Sequence, residues 1–255
     1  MRHRFISSFI YCLIFALSVH AEERLVIPQS VLDQIDQGNA EMAYYVATQF
    51  DKRRFDESNI DIKNDNDEKA QQWMKKAAEM QYPQAMFEWA MMLEYNEKEA
   101  EALDWLQKAA KLNMSDAIEK IAFYHLQGFG GLSRNCKVAY EWYEKAEVYE
   151  HKLAYNDHAW SLATSAYKVC RSPEKALLLI SKLMSLYKQE DVFVPNAVLD
   201  TKAAVHAGVS DFNKAIEIQK QAIEMLGEGN AKLESYQERL NSYQLRKAWI
   251  QRKMM

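Results

Sequence analysis

One residue pattern occurs three times in the chain, and this repetition limits the folds that it can adopt. The pattern is A-x2-W-x2-K-A-x7-A, centred on Trp73, Trp105 and Trp142, with spacings of 32 and 37 residues. Alanines stand three before and four after each tryptophan, and we call them the repeat alanines: Ala70, Ala77, Ala102, Ala109, Ala139 and Ala146. These positions share one face of an α-helix, where two small residues beside a large one let a neighbouring helix approach closely.

The last alanine of each copy falls twelve residues after the tryptophan, where we expect the next helix to begin: Ala85, Ala117 and Ala154. Each copy therefore predicts a helix–turn–helix pair. A single pair cannot bury its apolar face alone, so neighbouring pairs must stack to complete the core. We expect the repeat tryptophans to belong to that core, and the lysine three residues later to lay its stem along the surface.

Composition favours the same class of structure. The 255 residues include only 7 glycines and 4 prolines, and threonine occurs only at positions 48, 164 and 201. Alanine, leucine, lysine and glutamate, which favour helices, dominate instead. These proportions exclude collagen-like, disulfide-scaffold and mostly β chains, and they disfavour enzymes built on a glycine-rich phosphate loop. The net charge is −4 and no basic stripe is present, so we do not expect nucleic acid as a partner.

The third copy is the most complete. Its characteristic residues are Ala117, Ile121, Ala122, Tyr124, Gly128-Phe129-Gly130-Gly131, Ala139, Trp142, Tyr143, Lys145 and Ala146. This series resembles the Sel-one-like repeat, a relative of the tetratricopeptide repeat, in which a glycine-rich turn precedes an A-x2-W-Y-x-K-A helix. The second copy departs from it, with Glu94-Tyr95-Asn96-Glu97 in place of the glycine-rich turn. The first departs further, and we expect an extended loop there from Asp51 to Asp67.

A different pattern follows the third copy. Residues 196–229 resemble one tetratricopeptide unit, through Leu199, Ala203, Ser210-Asp211-Phe212, Ala215 and Ala222. Residues 154–187 fit a further helix pair, and a last helix is expected over Ala231 to Ile250. The resemblance implies an all-α fold, a right-handed α-solenoid of antiparallel helix pairs with a C-terminal capping helix. The predicted segments are a signal peptide (1–21), a lead-in (22–37), three Sel-one-like repeats (38–153), two tetratricopeptide-like repeats (154–229) and the cap (230–255).

The first 21 residues resemble a secretory signal. Arg2 and Arg4 form a basic start, positions 5–19 are apolar and free of charge, and Val19-His20-Ala21 places small residues before a cleavage site. The apolar stretch is shorter than a membrane span requires. We expect cleavage after Ala21, with an uncleaved anchor as the alternative; a lipoprotein site at Cys12 is disfavoured by the bulky Tyr11. The protein is then exported, periplasmic in a Gram-negative source and otherwise secreted, without a stable membrane span.

The mature chain keeps two cysteines, Cys136 and Cys170. They lie 34 residues apart, which is one repeat, and each falls near the turn of its own helix pair. Equivalent turns of adjacent repeats are neighbours, although helix pairs are spaced more widely than the 4.4–6.8 Å between Cα atoms that a disulfide requires. A disulfide and two free buried thiols therefore both remain open, with a redox role as a third alternative.

Motifs for catalysis or metal binding are absent from the sequence. It contains no G-x-S-x-G, H-E-x-x-H, phosphate loop or C-x-x-C. The acidic run from Asp61 to Glu68 fails as a calcium loop, and we interpret it as a polar loop that ends in a helix cap before Glu68. His151 and His158 are too far apart on one helix to share a zinc ion. We therefore expect no catalytic residues, no metal and no cofactor.

The resemblance indicates where a partner would bind, because the first helix of each pair lines the concave face. The helical phase places six residues there: Phe87, Met91, Tyr95, Glu119, Phe123 and Gln127. The function expected is a non-enzymatic scaffold or adaptor of the cell envelope that binds a peptide or protein partner in a helical groove. The alternatives are an exported hydrolase on a helical-repeat scaffold and a regulator or assembly factor of envelope enzymes.

Overall fold

The computed structural model describes residues 25–56 and 60–252, so the predicted signal peptide lies outside it. These residues form α-helices and no strand, as expected for an α-solenoid of repeats. The helices are α1 (Gln29–Asp36), α2 (Ala40–Asp56), α3 (Ile60–Glu79), α4 (Pro83–Tyr95), α5 (Glu99–Lys111), α6 (Ser115–Gln127), α7 (Cys136–Glu147), α8 (Lys152–Thr164), α9 (Pro173–Gln189), α10 (Asn196–Gly208), α11 (Phe212–Leu226) and α12 (Leu233–Gln244). A short 3₁₀ helix covers Lys168–Cys170. None of the described helices is long and apolar enough to cross a bilayer.

The chain divides into two compact units. The first ends at Met80 and contains α1 to α3, with α2 packed along α3. The second begins at Gln81 and contains α4 to α12. Within it the helices pack as the pairs α4–α5, α6–α7, α8–α9 and α10–α11, while α12 closes the series against α11.

The helix boundaries follow simple local signals. Pro83 and Pro173 are the first residues of α4 and α9, and Pro195 directly precedes α10. Proline is tolerated at these positions because the first amide groups of a helix have no intrahelical partner. The side chain of Asn135 caps α7 by accepting hydrogen bonds from the backbone N–H groups of Lys137 (3.1 Å) and Val138 (3.2 Å).

All six repeat alanines are completely buried, and so are the three alanines at the starts of α4, α6 and α8. The repeat tryptophans are partly buried, and Trp142 packs against the buried cluster formed by α6, α7 and the start of α8. Each indole lies at the edge of the core beneath the lysine of its own copy. The Nζ–ring distances are 4.9 Å for Lys76–Trp73, 3.9 Å for Lys108–Trp105 and 3.9 Å for Lys145–Trp142. The small residues of the pattern therefore form the core, and the large residue covers its edge.

The extended loop expected from Asp51 to Asp67 is not observed where the structure describes this segment. Helix α2 continues to Asp56 and α3 already begins at Ile60. The polar side chains support the helix instead of ending it, because residues four apart pair along its surface. Lys69 contacts Asp65 at 2.8 Å, and Gln71 donates to Asp67 at 3.2 Å. The helix cap expected before Glu68 is therefore wrong as well.

The C-terminal helix is shorter than expected. It ends at Gln244 instead of Ile250, because Arg246 adopts a left-handed conformation (φ 53°). The following residues turn back toward α8, where the backbone N–H of Gln251 donates to the carbonyl of Thr164 at 2.7 Å. Residues 245–252 thus form a non-helical tail, which supplies a hydrogen-bond donor to a backbone carbonyl at the C-terminal end of α8.

Most turns between the described helices, and also the end of α12, close on a left-handed residue that is not glycine. These residues have φ between 52° and 65°: Gln81, Glu97, Asn113, Glu150, Asp191, Ser210 and Arg246. The conformation costs about 1 kcal/mol for a residue with a Cβ. Hydrogen bonds offset this cost, as where the N–H of Lys98 donates to Leu93 (2.9 Å) and that of Asp211 to His206 (2.8 Å).

The turn of the third repeat differs, because glycine is required there by space as well as by conformation. Gly130 has φ 62°, and a Cβ at this position would lie 3.0 Å from the carbonyl oxygen of Glu99 and 3.2 Å from the Cβ of Leu103. The glycine-rich turn therefore packs directly against the start of α5.

We expect Ala109→Leu to lower the free energy of unfolding by about 1–3 kcal/mol, because a larger side chain must be forced between closely packed helices. Ala100→Leu in the same helix is the matched control; this residue is exposed, and the change should stay within about 0.5 kcal/mol. Urea denaturation of the three proteins measures both effects. Equal destabilisation by the two substitutions would contradict the close contact at Ala109.

Candidate functional site

A cavity of about 920 Å³ opens in the second unit. One side is formed by Phe123 and Gln127 of α6, and another by Asp157 and Trp160 of α8. The start of α7, the segment 165–170 and the tail residues 249–252 complete its lining. The volume lies in the upper part of the range found for ligand-binding clefts in proteins.

Aromatic rings dominate the walls of this cavity: Phe123, Tyr143, Trp160, Tyr167 and Trp249. Phe123 is held edge-on to Phe129, with ring centroids 5.8 Å apart. Tyr167 accepts a hydrogen bond from Nη1 of Arg134 at 3.1 Å, and that guanidinium also lies 5.9 Å from its ring. Aromatic and arginine side chains are enriched in binding surfaces, because they offer large contact areas together with polar groups.

A disulfide joins two walls of the cavity. Cys136 is the first residue of α7 and Cys170 is the last of the 3₁₀ helix; their Sγ atoms are bonded and their Cα atoms lie 5.9 Å apart. Of the alternatives that the sequence left open, the structure therefore contains the disulfide. The hydroxyl of Tyr140 donates to the carbonyl of Cys170 at 2.7 Å and lies 3.0 Å from Oγ of Ser161. These contacts hold the segment 165–170 against α7 and α8.

Two carboxyl groups share a hydrogen bond beside the cavity. Glu119 of α6 is 6% exposed and lies behind Asp157, which lines the cavity. Burial and the adjacent Asp157 charge raise the pKa of Glu119 to about 8, and burial also raises the pKa of Asp157. A protonated Glu119 can donate to the Asp157 carboxylate, so near pH 7 the pair holds one proton and one negative charge.

A buried ion pair supports the aromatic wall formed by Trp160 and Trp249. Nε of Arg239 donates to Oδ1 of Asp200 at 2.7 Å, and Nε2 of Gln219 donates to the same oxygen at 2.8 Å. Burial raises the pKa of Asp200, and the positive charge of Arg239 opposes that rise. The guanidinium also lies 5.5 Å from the ring of Trp160 and 5.9 Å from that of Trp249. Arg239 therefore fixes two of the aromatic walls from behind.

His158 supports the inner end of the cavity. It is completely buried and its ring stacks on that of Tyr143, with centroids 5.4 Å apart. Its Nδ1 lies 2.7 Å from Oε1 of Glu147. His151 lies 3.2 Å from Asp116 instead of beside His158. Across residues 25–56 and 60–252, no three His, Cys, Asp or Glu side chains come together in a way that could hold a metal ion.

The six residues predicted for the partner-binding face separate in the structure. Phe123 and Gln127 line the cavity, and Glu119 is buried behind it. Phe87, Met91 and Tyr95 belong to α4 and are not part of the lining; Tyr95 is 88% exposed. The phase on α6 thus brings two of its three residues to the cavity, whereas α4 contributes none.

Sequence reasoning missed most of the residues contributed by α8 and by the tail. Asp157 and Trp160 lie on α8, the first helix of the next pair, where the tryptophan pattern no longer guides the alignment. Trp249 was assigned to a capping helix, although it lies on the non-helical tail. The sequence did contain a signal for the residues of α8, because the helical phase that was used for α6, the first helix of its pair, also applies to α8.

The helix pairs and the cavity between them define a class of protein, the α-solenoids built from helix-pair repeats. A model of the Sel1 repeat family matches residues 56–82, 83–114 and 115–147. The chain therefore contains three Sel1 repeats over residues 56–147. The second and third repeats correspond to the pairs α4–α5 and α6–α7, while the first covers α3 and little of α2. The tetratricopeptide character of residues 154–229 stays a prediction.

Two solved structures share the fold. A Sel1 repeat protein from Oxalobacter formigenes is 20% identical, with 79% of this chain and 87% of that chain covered and a TM-score of 0.54. A protective antigen of uropathogenic Escherichia coli strains, described as displaying an SLR fold, is 16% identical. That match covers 86% of this chain but 52% of the other, with a TM-score of 0.55. No curated protein matches the sequence.

We expect a non-reducing mass measurement with thiol alkylation to find no free thiol at Cys136 or Cys170. Replacing both by serine should lower the free energy of unfolding by about 3–4 kcal/mol, because the unfolded chain regains the entropy of an open 34-residue loop. Denaturant unfolding of the double variant measures the loss. Alkylation of both cysteines without prior reduction would show that the bond is absent.

The buried carboxyl pair predicts a pH dependence of stability. The pKa of Glu119 is about 8 in the folded chain, against an ordinary value of 4.5, so the folded state binds its proton more tightly. The free energy of unfolding should therefore fall as pH rises from about 4.5 to about 8. Glu119→Gln removes the titrating carboxyl. The free energy of unfolding of this variant, relative to that of the wild type, should therefore increase progressively between pH 5 and pH 8.

The matched control is Glu141→Gln, which removes the same charge from an exposed position on α7. Its stability relative to wild type should stay constant over this range. Urea denaturation at several pH values separates the two behaviours. A constant difference for Glu119→Gln would mean that Glu119 ionises at its ordinary pKa.

Proposed function

We propose that this chain is a non-enzymatic interaction scaffold of the cell envelope, which binds a peptide or an extended segment of a partner protein in the cavity between α6 and α8. The observation that carries the proposal is the cavity itself, with five aromatic side chains in its walls and charged groups of both signs. Extended peptides bind to helical-repeat proteins through such combinations of apolar anchors and a few polar contacts.

The fold supports this class of function. Sel1 repeats generally serve as non-catalytic interaction scaffolds. A fold alone does not identify a partner, so the proposal depends on the site. The chain's own tail is consistent with this proposal, because Trp249 and Gln251 of this non-helical segment line the cavity, and Gln251 donates its backbone N–H to the end of α8.

Export is supported by two independent features. Residues 1–21 carry the pattern of a secretory signal, and the disulfide between Cys136 and Cys170 would persist in an oxidising compartment. The proposed location is the periplasm in a Gram-negative source and the extracellular medium otherwise.

Affinity capture from an envelope extract tests the proposal. The immobilised mature chain is compared with the double variant Phe123→Ala/Tyr167→Ala, which removes two aromatic walls at partly exposed positions. We expect a stoichiometric partner to be retained by the wild type and reduced at least about tenfold with the variant, because such aromatic anchors commonly carry 2 kcal/mol or more.

Leu178→Ala is the matched control, since this residue of α9 is 72% exposed and outside the cavity lining. It should retain the partner fully. A partner held equally by all three proteins would bind elsewhere on the chain, and turnover of cell-wall or ester substrates by the pure protein would contradict a non-enzymatic role.

A further inference from the structure

The carboxyl pair of the cavity carries a negative charge that forms no direct ion pair with a basic side chain of the described residues. Among the described residues, neither Glu119 nor Asp157 forms an ion pair. The basic side chains whose charges act on the pair have closer partners of their own: Nζ of Lys120 lies 3.0 Å from Glu94, and Nε2 of His151 lies 3.2 Å from Asp116. Buried charges in proteins are normally paired, because desolvation is expensive. The pair therefore lacks a directly paired cation, and a ligand can supply one.

A second, independent feature points to a ligand at the same place. Tyr143 is among the residues that line the cavity, and its buried hydroxyl has no hydrogen-bond partner among the described residues. Burial and then the negative charges of Asp157 and Glu119 raise its pKa well above the ordinary value, so the hydroxyl stays neutral and can donate a hydrogen bond. An unsatisfied buried hydroxyl costs about 1–3 kcal/mol, which a polar ligand group would recover.

The surroundings of the carboxyl pair suit an organic cation. Phe123 and Trp160 line the cavity on the two helices that carry Glu119 and Asp157. Aromatic faces attract ammonium and guanidinium groups and also cover their apolar stems. Nδ2 of Asn156 already donates to Oδ1 of Asp157 at 2.9 Å, which orients that carboxylate.

We propose that this end of the cavity is a subsite for the guanidinium or ammonium group of an arginine or lysine side chain on the bound partner segment. The proposal rests on the function proposed above and adds the chemistry that the partner must present. The basic residues of the lining, Arg134, Lys137 and Arg252, are exposed at the rim. The geometry therefore selects a segment whose cationic side chain points inward and whose polar or acidic groups stay outside.

Cation binding at this subsite releases a proton. The groups that act on the pair are Asp116 and Lys120 on α6, Tyr143 on α7, His151 at the N-cap of α8, and Asn156 on α8. A cation beside Asp157 favours ionisation of Glu119, whose pKa is about 8 without ligand. By linkage, affinity should rise with pH, by about tenfold between pH 6 and pH 8.

A library of random ten-residue peptides displayed on phage tests the proposal on the full mature chain. Peptides selected by the wild type should be enriched in arginine or lysine at one position. Replacing that arginine by citrulline, its neutral isostere, or that lysine by norleucine should weaken binding at least about tenfold, because the charge-assisted contact is lost. Calorimetry at pH 6 and pH 8 measures the affinity and the released proton.

Two variants should behave differently from one another. Asp157→Asn removes the carboxylate that meets the ligand, so the preference for a cation should disappear. Glu119→Gln keeps a permanent negative charge at Asp157, so binding should persist while the pH dependence and the released proton are lost. Glu141→Gln, exposed on α7, is the matched control and should bind as the wild type does. The Glu119→Gln result and the citrulline or norleucine peptide do not depend on whether Asp157→Asn folds.

The outcomes separate the two proposals. Selected peptides without a shared basic residue, or binding that tolerates citrulline or norleucine, would overturn the cation subsite and leave the scaffold function in place. If no selected peptide loses its binding to the Phe123→Ala/Tyr167→Ala variant, both proposals are overturned.

Discussion

The repeat alanines set the distance between helices, and the remaining structure depends on that distance. All six are completely buried, so no larger side chain fits where they stand. Close packing brings the turns of neighbouring pairs in the second unit together, and the 3₁₀ helix before α9 covers the remaining gap. As a result the Cα atoms of Cys136 and Cys170 lie 5.9 Å apart, within the range that a disulfide requires.

The cavity is held open by constraints on both sides. The disulfide and the hydroxyl of Tyr140 fix the segment 165–170, while the ion pair of Arg239 and Asp200 fixes Trp160 and Trp249. A rigid site loses little conformational entropy when a partner binds. The same walls enclose a carboxyl pair without a directly paired cation, so the rigidity also keeps in place an electrostatic cost that a cationic ligand can relieve.

Some elements could be predicted from local patterns because their cause is local. The tryptophan–alanine phase located α5, α7 and the starts of the helices that follow, since a shared helix face requires that spacing. The predictions of a loop at 51–67 and of the end of the last helix were wrong for a different reason. Aspartate and asparagine suggested a loop, but pairs such as Asp65–Lys69 stabilise the helix there. The turn at Arg246 uses a left-handed residue that no glycine marks.

The sequence by itself determined the helix pairs, their period and the Sel1 character of residues 56–147, because these depend on spacings along one chain. Only the tertiary structure decided which side chains meet: Glu119 with Asp157, Arg239 with Asp200, and Cys136 with Cys170. The partners in these contacts are 34 to 39 residues apart. Such contacts are set by how neighbouring helix pairs stack and where the tail returns, and helical periodicity carries no information about either.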